Sequence, residues 1–528
     1  MINPKARPCD EAAIQAVRSV ECAAHVKAWV LVATILASAI AFIDESVVNI
    51  ALPAMEKDLG ASVAVIQWIV STYELCLAAL LLIGGAIGDR YGRRLAFVIG
   101  MTIFAVTSLW CGLTGNIGQL LAARAAQGVG AALMIPCSLA IIGATFNEAE
   151  RGKAIGTWAG VSAIAAAAGP LLGGWIVDHA TWRAIFLINP VLAVPTIWIA
   201  LRHMPESRDS QAAGALDWYG AALSFLGLGL LVFGLIALPS WGVRNLAVVA
   251  SIAVGIALLA AFVAVEMRSR HPMMPLGLFR SPTFSGVNLL TLLLYTALGG
   301  AFFFLPFDLM QVHGYSATVA GMSFLPFTVI MGGLSRWSGG LIDRLGARLP
   351  LVIGPAICAV AYALFAFAAP TSSYALSFLL PMCVLSLGMA VTIAPLTTAV
   401  INAVPPTQTG VASGINNSVA SVASLLAVAI FGAIALGVHD RALDRHAGAA
   451  SAEVSRAIEA ARGQFVIEPV LSGLQGAERA QAATLLQSSL ADGIQTAMIL
   501  AAALSLAAGL CAALIIPARV EGDHAKAR

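Results

Sequence analysis

Charge is what this sequence has least of. Only 11% of its 528 residues are charged, against 59% hydrophobic, where soluble domains carry roughly a quarter charged residues. A chain so poor in charge, with apolar runs of about twenty residues, is not a string of soluble domains. The formal net charge is +2, so nothing attracts it in bulk to nucleic acid. The eight cysteines are scattered. No C-x-x-C pair or Cys/His cluster occurs, so neither a disulfide framework nor a zinc or other metal site is supported. No His stands clearly in the middle of an apolar run, and no Ser/His/Asp set is evident, which argues against a membrane-embedded enzyme and leaves no catalytic residue to name. A cofactor motif is also missing. The first apolar run is too long for a signal-peptide core and leads into D-E-S-V-V-N, so it reads as a retained first helix.

What is present organises itself around G-G-A-I-G-D-R-Y-G-R-R, from Gly84 to Arg94. It sits between two apolar runs, and a weaker copy, G-G-L-I-D-R-L-G-A-R, begins at Gly339. Gly85, Asp89, Arg90, Gly92 and Arg94 match Gly339, Asp343, Arg344, Gly346 and Arg348 at one constant offset. A recurrence of this kind marks two repeated halves of a membrane protein. Hydropathy gives about fourteen spans, which must be helices because lipid offers the backbone no hydrogen-bond partners. The expected organisation is a tail over 1–27, a six-helix bundle over 28–201 and linkers with two inserted helices over 202–283. A second six-helix bundle follows over 284–516, interrupted by a polar loop at 438–490, and then a tail over 517–528. Lys and Arg crowd alternate connections, including the one at Arg90, Arg93 and Arg94. The positive-inside rule therefore places both termini in the cytoplasm.

Several residues carry candidate chemistry. Asp89 is placed to pair with Arg across the cytoplasmic helix ends, with Arg90, Arg93, Arg94, Asp343 and Arg344 as the charged members of that gate and Gly85 and Gly92 as its close-approach points. Asp44 and Glu45 lie in the first span and Glu74 in the second. A carboxylic acid is expensive in hydrocarbon, and one that can load and release a proton is what a proton-coupled carrier needs. Asp44 is expected to face inward and Glu45 to lie nearer water. Glu74, with Tyr73 and Trp68 close in sequence, suits a lipophilic cation through charge and cation–π contact. Arg124, early in the fourth span, must find a carboxylate, a carbonyl or water and is placed to modulate one of these acids. Asp308 and Gln311 are candidates for the same substrate cavity. From Gly160, the stretch G-V-S-A-I-A-A-A-A-G-P-L-L-G-G sets small residues four apart at Ala165, Gly169 and Gly173 and at Ala166, Pro170 and Gly174. Such a smooth stripe lets helices pack closely, and Pro170 removes a backbone donor and permits a bend.

Taken together these motifs resemble the fourteen-helix drug:proton antiporters of the major facilitator superfamily, of EmrB/QacA type, over about residues 28–516. The run from Gly85 to Arg94 is similar to the superfamily's cytoplasmic loop motif. Asp44 with V-V-N-I-A-L-P is similar to the family's first-helix motif, and Arg124 with Gln127 and Gly128 to its fourth-helix motif. Gly169-Pro170-L-L-Gly173-Gly174 resembles the fifth-helix motif of antiporters, and Trp182 to Pro190 also resembles the family. Glu45 and Glu74 stand where relatives often carry uncharged residues. The resemblance implies an all-α fold of two six-helix bundles plus two inserted helices in a cell inner membrane. It implies export of hydrophobic, cationic compounds against protons, with Asp44 and Arg124 in proton coupling, no cofactor beyond the proton gradient, and scope for a periplasmic adaptor and outer-membrane channel. A narrow metabolite exporter or a proton-coupled importer on the same fold is the alternative.

Overall fold

The computed structural model describes residues 24–208, 216–269, 272–339, 341–367, 373–405, 408–447 and 451–517. Fourteen of the described helices are long and apolar enough to cross a membrane. They are α1 (Ala24–Leu59), α2 (Val63–Tyr91), α3 (Arg93–Leu113), α4 (Ile117–Thr145), α5 (Glu148–His179), α6 (Ala184–His203), α7 (Trp218–Trp241) and α8 (Leu246–Arg268). The second set is α9 (Pro282–Phe307), α10 in two pieces (Ala317–Met322 and Leu325–Gly339), α11 (Arg348–Ala366), α12 (Leu380–Asn402), α13 (Thr409–Ala447) and α14 (Gly476–Ile515). Helix starts are written in the sequence. Asn116, Asn147, Asp217, Asn245, Ser281 and Ser316 each turn a side-chain oxygen onto a free backbone N–H of the first turn, which satisfies donors that the helix itself leaves unpaired.

The packing repeats. In the first half α2 packs on α4, α3 on α4 and α6, and α1 on α5 and α6. In the second half α10 packs on α12, α11 on α12 and α14, and α9 on α13 and α14. Each pair is the first-half pair moved on by eight helices, so the two sixes are copies of one bundle. The halves meet along two equivalent seams, α2 with α13 and α5 with α10. The inserted α7 lies against α2 and α13 at one seam, and α8 packs on α7.

The first helix runs through Pro53 to Leu59, so Asp44 and Glu45 lie well inside it. One expectation shifts. The polar stretch expected as a loop over 438–490 is partly helix, because α13 continues to Ala447 and α14 begins at Gly476. Between them lie two short helices, Ala452–Ala461 and Glu468–Leu471. Polar residues do not stop a helix once it has left the hydrocarbon, so hydropathy alone sets these ends too early.

The seams are closed at one end. A Cβ at Gly174 would lie 2.1 Å from the Ala317 carbonyl oxygen, and one at Gly321 would lie 2.1 Å from that of Pro170. Asp178 also accepts from the backbone N–H groups of Ala317 (3.1 Å) and Thr318 (2.7 Å). Toward the Asp89 end the same helices part. A Cβ at Gly156 or Gly160 on α5, at Gly332 or Gly333 on α10, or at Gly410 on α13 would meet no described atom within 4 Å. There α2 and α13 stay close, with Leu82 3.5 Å from a Cβ built at Gly414.

Candidate functional site

The first half encloses a buried ion pair. Asp44 on α1 and Arg124 on α4 are 2% and 1% exposed, with Arg124 Nη1 2.6 Å from Asp44 Oδ2. Gln127, one turn after Arg124, donates to Asp44 Oδ1 at 2.9 Å, and Asn189 on α6 donates to the same oxygen at 2.6 Å. Ser108 Oγ on α3 accepts from both amides, at 2.8 and 3.2 Å. Arg124 also donates to Gln127 Oε1 (2.7 Å) and to the Ile69 carbonyl (3.2 Å), and the Tyr73 ring lies 4.4 Å from its guanidinium carbon. This is the donor set of an ionised carboxylate. Removing one member of such a buried pair leaves an uncompensated charge and typically costs about 3–5 kcal/mol. Through this one carboxylate and its amide donors, α1, α3, α4 and α6 are tied into a single network.

The other acids lie to the side of this pair. Adjacent residues point about 100° apart on a helix, and Glu45 is partly exposed where Asp44 is sealed. Glu74 on α2 is buried and lies within electrostatic reach of Glu45 and Arg124. The expected substrate set does not hold together. Trp68 turns away toward the inserted helices, its ring 6.4 Å from Phe233 of α7. Tyr73 is sealed beneath Arg124. Asp308 and Gln311 sit on the turn that continues α9 at the closed end. There Asp308 lies 3.6 Å from His313, and Gln311 Oε1 accepts from the Ile467 N–H at 3.2 Å. The Asp308 carboxylate, accepting from the His313 ring, raises the His313 pKa above the usual imidazole value. Spacing along a sequence put these residues near a common depth, but the face of each helix decides what they touch.

In the glycine-rich loop Asp89, in the last turn of α2, pairs with Arg93, the first residue of α3, at 2.9 Å. The loop's further partner is Glu206, just past α6, which sequence reasoning passed over as linker. Glu206 accepts from the backbone N–H groups of Arg94 (3.0 Å) and Leu95 (3.2 Å). Arg94 in turn donates to the Met204 carbonyl at 3.1 Å. Gly92 is required twice over, by its φ of +124° and by the Glu206 carboxylate 2.8 Å from where a Cβ would be. Arg90 lies over the Tyr91 ring at 5.6 Å, and a Cβ at Gly85 would touch Pro136 of α4 at 3.5 Å. The side chains of Asp343 and Arg344 lie outside the described residues.

The small-residue stripe of α5 has two neighbours. A Cβ at Gly169 would lie 1.9 Å from Ser46 Oγ and one at Gly173 3.1 Å from Val47, both on α1, whereas Gly174 and Pro170 meet α10. One helix thus touches its own half and the opposite half through the same glycine-rich turns. Among the described residues no group of three or more His, Cys, Asp or Glu could hold a metal ion.

Comparison with known proteins agrees with this architecture. The family model described as Major Facilitator Superfamily matches residues 34–428. The tetracenomycin C resistance and export protein of Streptomyces glaucescens is 34% identical over 476 residues, covering 89% of this chain and 88% of its own. The multidrug resistance protein Stp of Mycobacterium tuberculosis is 33% identical over 420 residues, covering 79% and 77%. Among solved structures, a bacterial homologue of the human lysosomal transporter Spinster, in an inward-facing and occupied conformation, superposes with a TM-score of 0.67. It is 16% identical and covers 94% of this chain and 98% of its own.

Proposed function

The chain belongs to the major facilitator superfamily, and from that premise we propose that it is a proton-coupled exporter of hydrophobic, cationic drugs or toxic compounds. It is a multi-pass membrane transporter rather than an enzyme. The reading places it in a cell inner membrane with both termini and the Asp89 loop in the cytoplasm, so the described conformation is open inward. The observation that carries the coupling is the sealed Asp44–Arg124 pair with its Gln127 and Asn189 donors. A proton on Asp44 dissolves the pair and frees the α1–α4–α6 contacts, and loss of the proton restores them. Glu74 and Glu45 supply negative charge for a cationic substrate, and rocking about the two seams alternates access. One proton moving with the membrane potential contributes roughly 2.3 kcal/mol per 100 mV. The export relatives support the direction of transport, and their names support both a broad and a narrow substrate range. A single-compound exporter is the second reading, favoured by the tetracenomycin C relative.

The test is dye efflux from energised cells, wild type beside Asp44→Asn, with and without a protonophore. Wild type is expected to lower accumulation of cationic dyes, the protonophore to abolish this, and Asp44→Asn to be expressed but inactive. Efflux persisting in Asp44→Asn would remove Asp44 from coupling. Failure of wild type to move any cationic dye would favour the narrow-substrate reading.

A further inference from the structure

A second buried acid of α1 has no place in the mechanism above. Glu56 is 3% exposed and lies twelve residues beyond Asp44, about 18 Å along the axis. Its Oε1 accepts two backbone hydrogen bonds, from Phe465 (2.7 Å) and Val466 (3.0 Å). These donors belong to the segment joining α13 to α14, so an acid of the first half holds a loop of the second. Glu56 Oε2 is buried and has no partner among the described residues. Two further bonds seat the same segment, Val63 N–H to the Gly463 carbonyl (2.9 Å) and Ile467 N–H to Gln311 (3.2 Å). Phe465, 1% exposed, enters the closed end of the protein against the rings of Phe304 and Phe307, each 5.5 Å away, and that of His439 at 6.0 Å.

Hydrogen bonds to an ionised acceptor are roughly twice as strong as neutral ones. A carboxylate gripping two N–H groups through one oxygen therefore holds the loop far better than the neutral acid does. The second oxygen is the atom a proton would take, and it makes no bond that the proton would break. We propose that Glu56 and residues 463–467 form a latch over the outer mouth, seated while Glu56 is ionised and released when a proton from the outside loads it. The latch takes from the function proposed above only the orientation and the alternation of the halves. Other charged or titratable groups surround the seat. On α1 they are Lys57 and Asp58, the latter held by Trp182 and Arg183. On α13 they are His439 and Asp440, and in the loop Arg462, which pairs with Asp444 and Glu459. At the end of α9 they are Asp308 and His313. None of these accepts the Phe465 or Val466 N–H groups, so none replaces Glu56 in the grip.

The experiment places a cysteine at Val466, which keeps its backbone donor, in a chain whose native cysteines are replaced. Labelling by a membrane-impermeant maleimide from the outside is normalised to Ser472→Cys, an exposed neighbour. Lowering the outside pH from about 8 to about 5 is expected to raise normalised labelling roughly tenfold as the acid loads. With Glu56→Gln added, which keeps an acceptor oxygen but cannot titrate, labelling is expected to be the same at both pH values. With Glu56→Ala it is expected to be fast at both. A flat response with Glu56 intact, or an unchanged response in Glu56→Gln, overturns the latch. Labelling needs neither substrate nor gradient, so this outcome is independent of whether Asp44 drives efflux.

Discussion

Asn189 carries no charge, yet it makes one of the two shortest bonds to Asp44, at 2.6 Å. Asn189→Ala removes a hydrogen bond to an ionised group, which is worth about 1.5–3 kcal/mol. It should lower resistance to thermal unfolding accordingly and shift the pH profile of efflux. Asn189→Asp places a second carboxylate beside Asp44 and should be worse on both measures. An unchanged pH profile in both variants would reduce Asn189 to packing. At this scale the sequence is readable where a charge stands in an apolar run, which is how Asp44, Glu74 and Arg124 declare themselves. It is not readable for Asn189 and Ser108, because an uncharged polar side chain inside a helix can satisfy itself on its own backbone, as Thr34 and Thr107 do. Glu206 was hidden differently. It lies just beyond a helix, where an acid is ordinarily solvated, and nothing local points to the glycine loop more than a hundred residues before it.

The α5 stripe was visible as a pattern of small residues, but a pattern does not name a partner. The structure divides it between α1 and α10, and divides its length between a closed and an open end. The consequence is a contrast between two alanine substitutions. Gly321→Ala drives a methyl group into the Pro170 carbonyl, 2.1 Å from the built Cβ, with no flexible side chain to yield. It should separate α10 from α5, abolish or sharply reduce efflux, and raise outside labelling of Val466→Cys. Gly160→Ala meets no described atom within 4 Å and should leave the thermal stability of this conformation unchanged. Equal effects of the two variants would mean that the seam is not where this conformation is held.

For the molecule as a whole, apolar runs and the repeated glycine loop were enough to foresee two sixes and an inserted pair. What could not be foreseen is where the pair docks, since both of its helices are apolar around much of their surface. It lies at one of the two seams, reaching the halves through α7, while the other seam has no such neighbour among the described helices. Sidedness is directly measurable. On intact cells an impermeant maleimide should label Ser472→Cys and leave Gly277→Cys, in the connection before α9, unlabelled until the membrane is permeabilised. Labelling of Gly277→Cys in intact cells would invert the molecule and turn the proposed exporter into a carrier opening outward. With the termini in the cytoplasm, the segment between α13 and α14 lies on the side of the membrane that faces away from the cytoplasm. A nanobody or peptide that grips it need not cross the membrane in which the carrier sits, so the carrier can be jammed from the side to which it delivers its cargo.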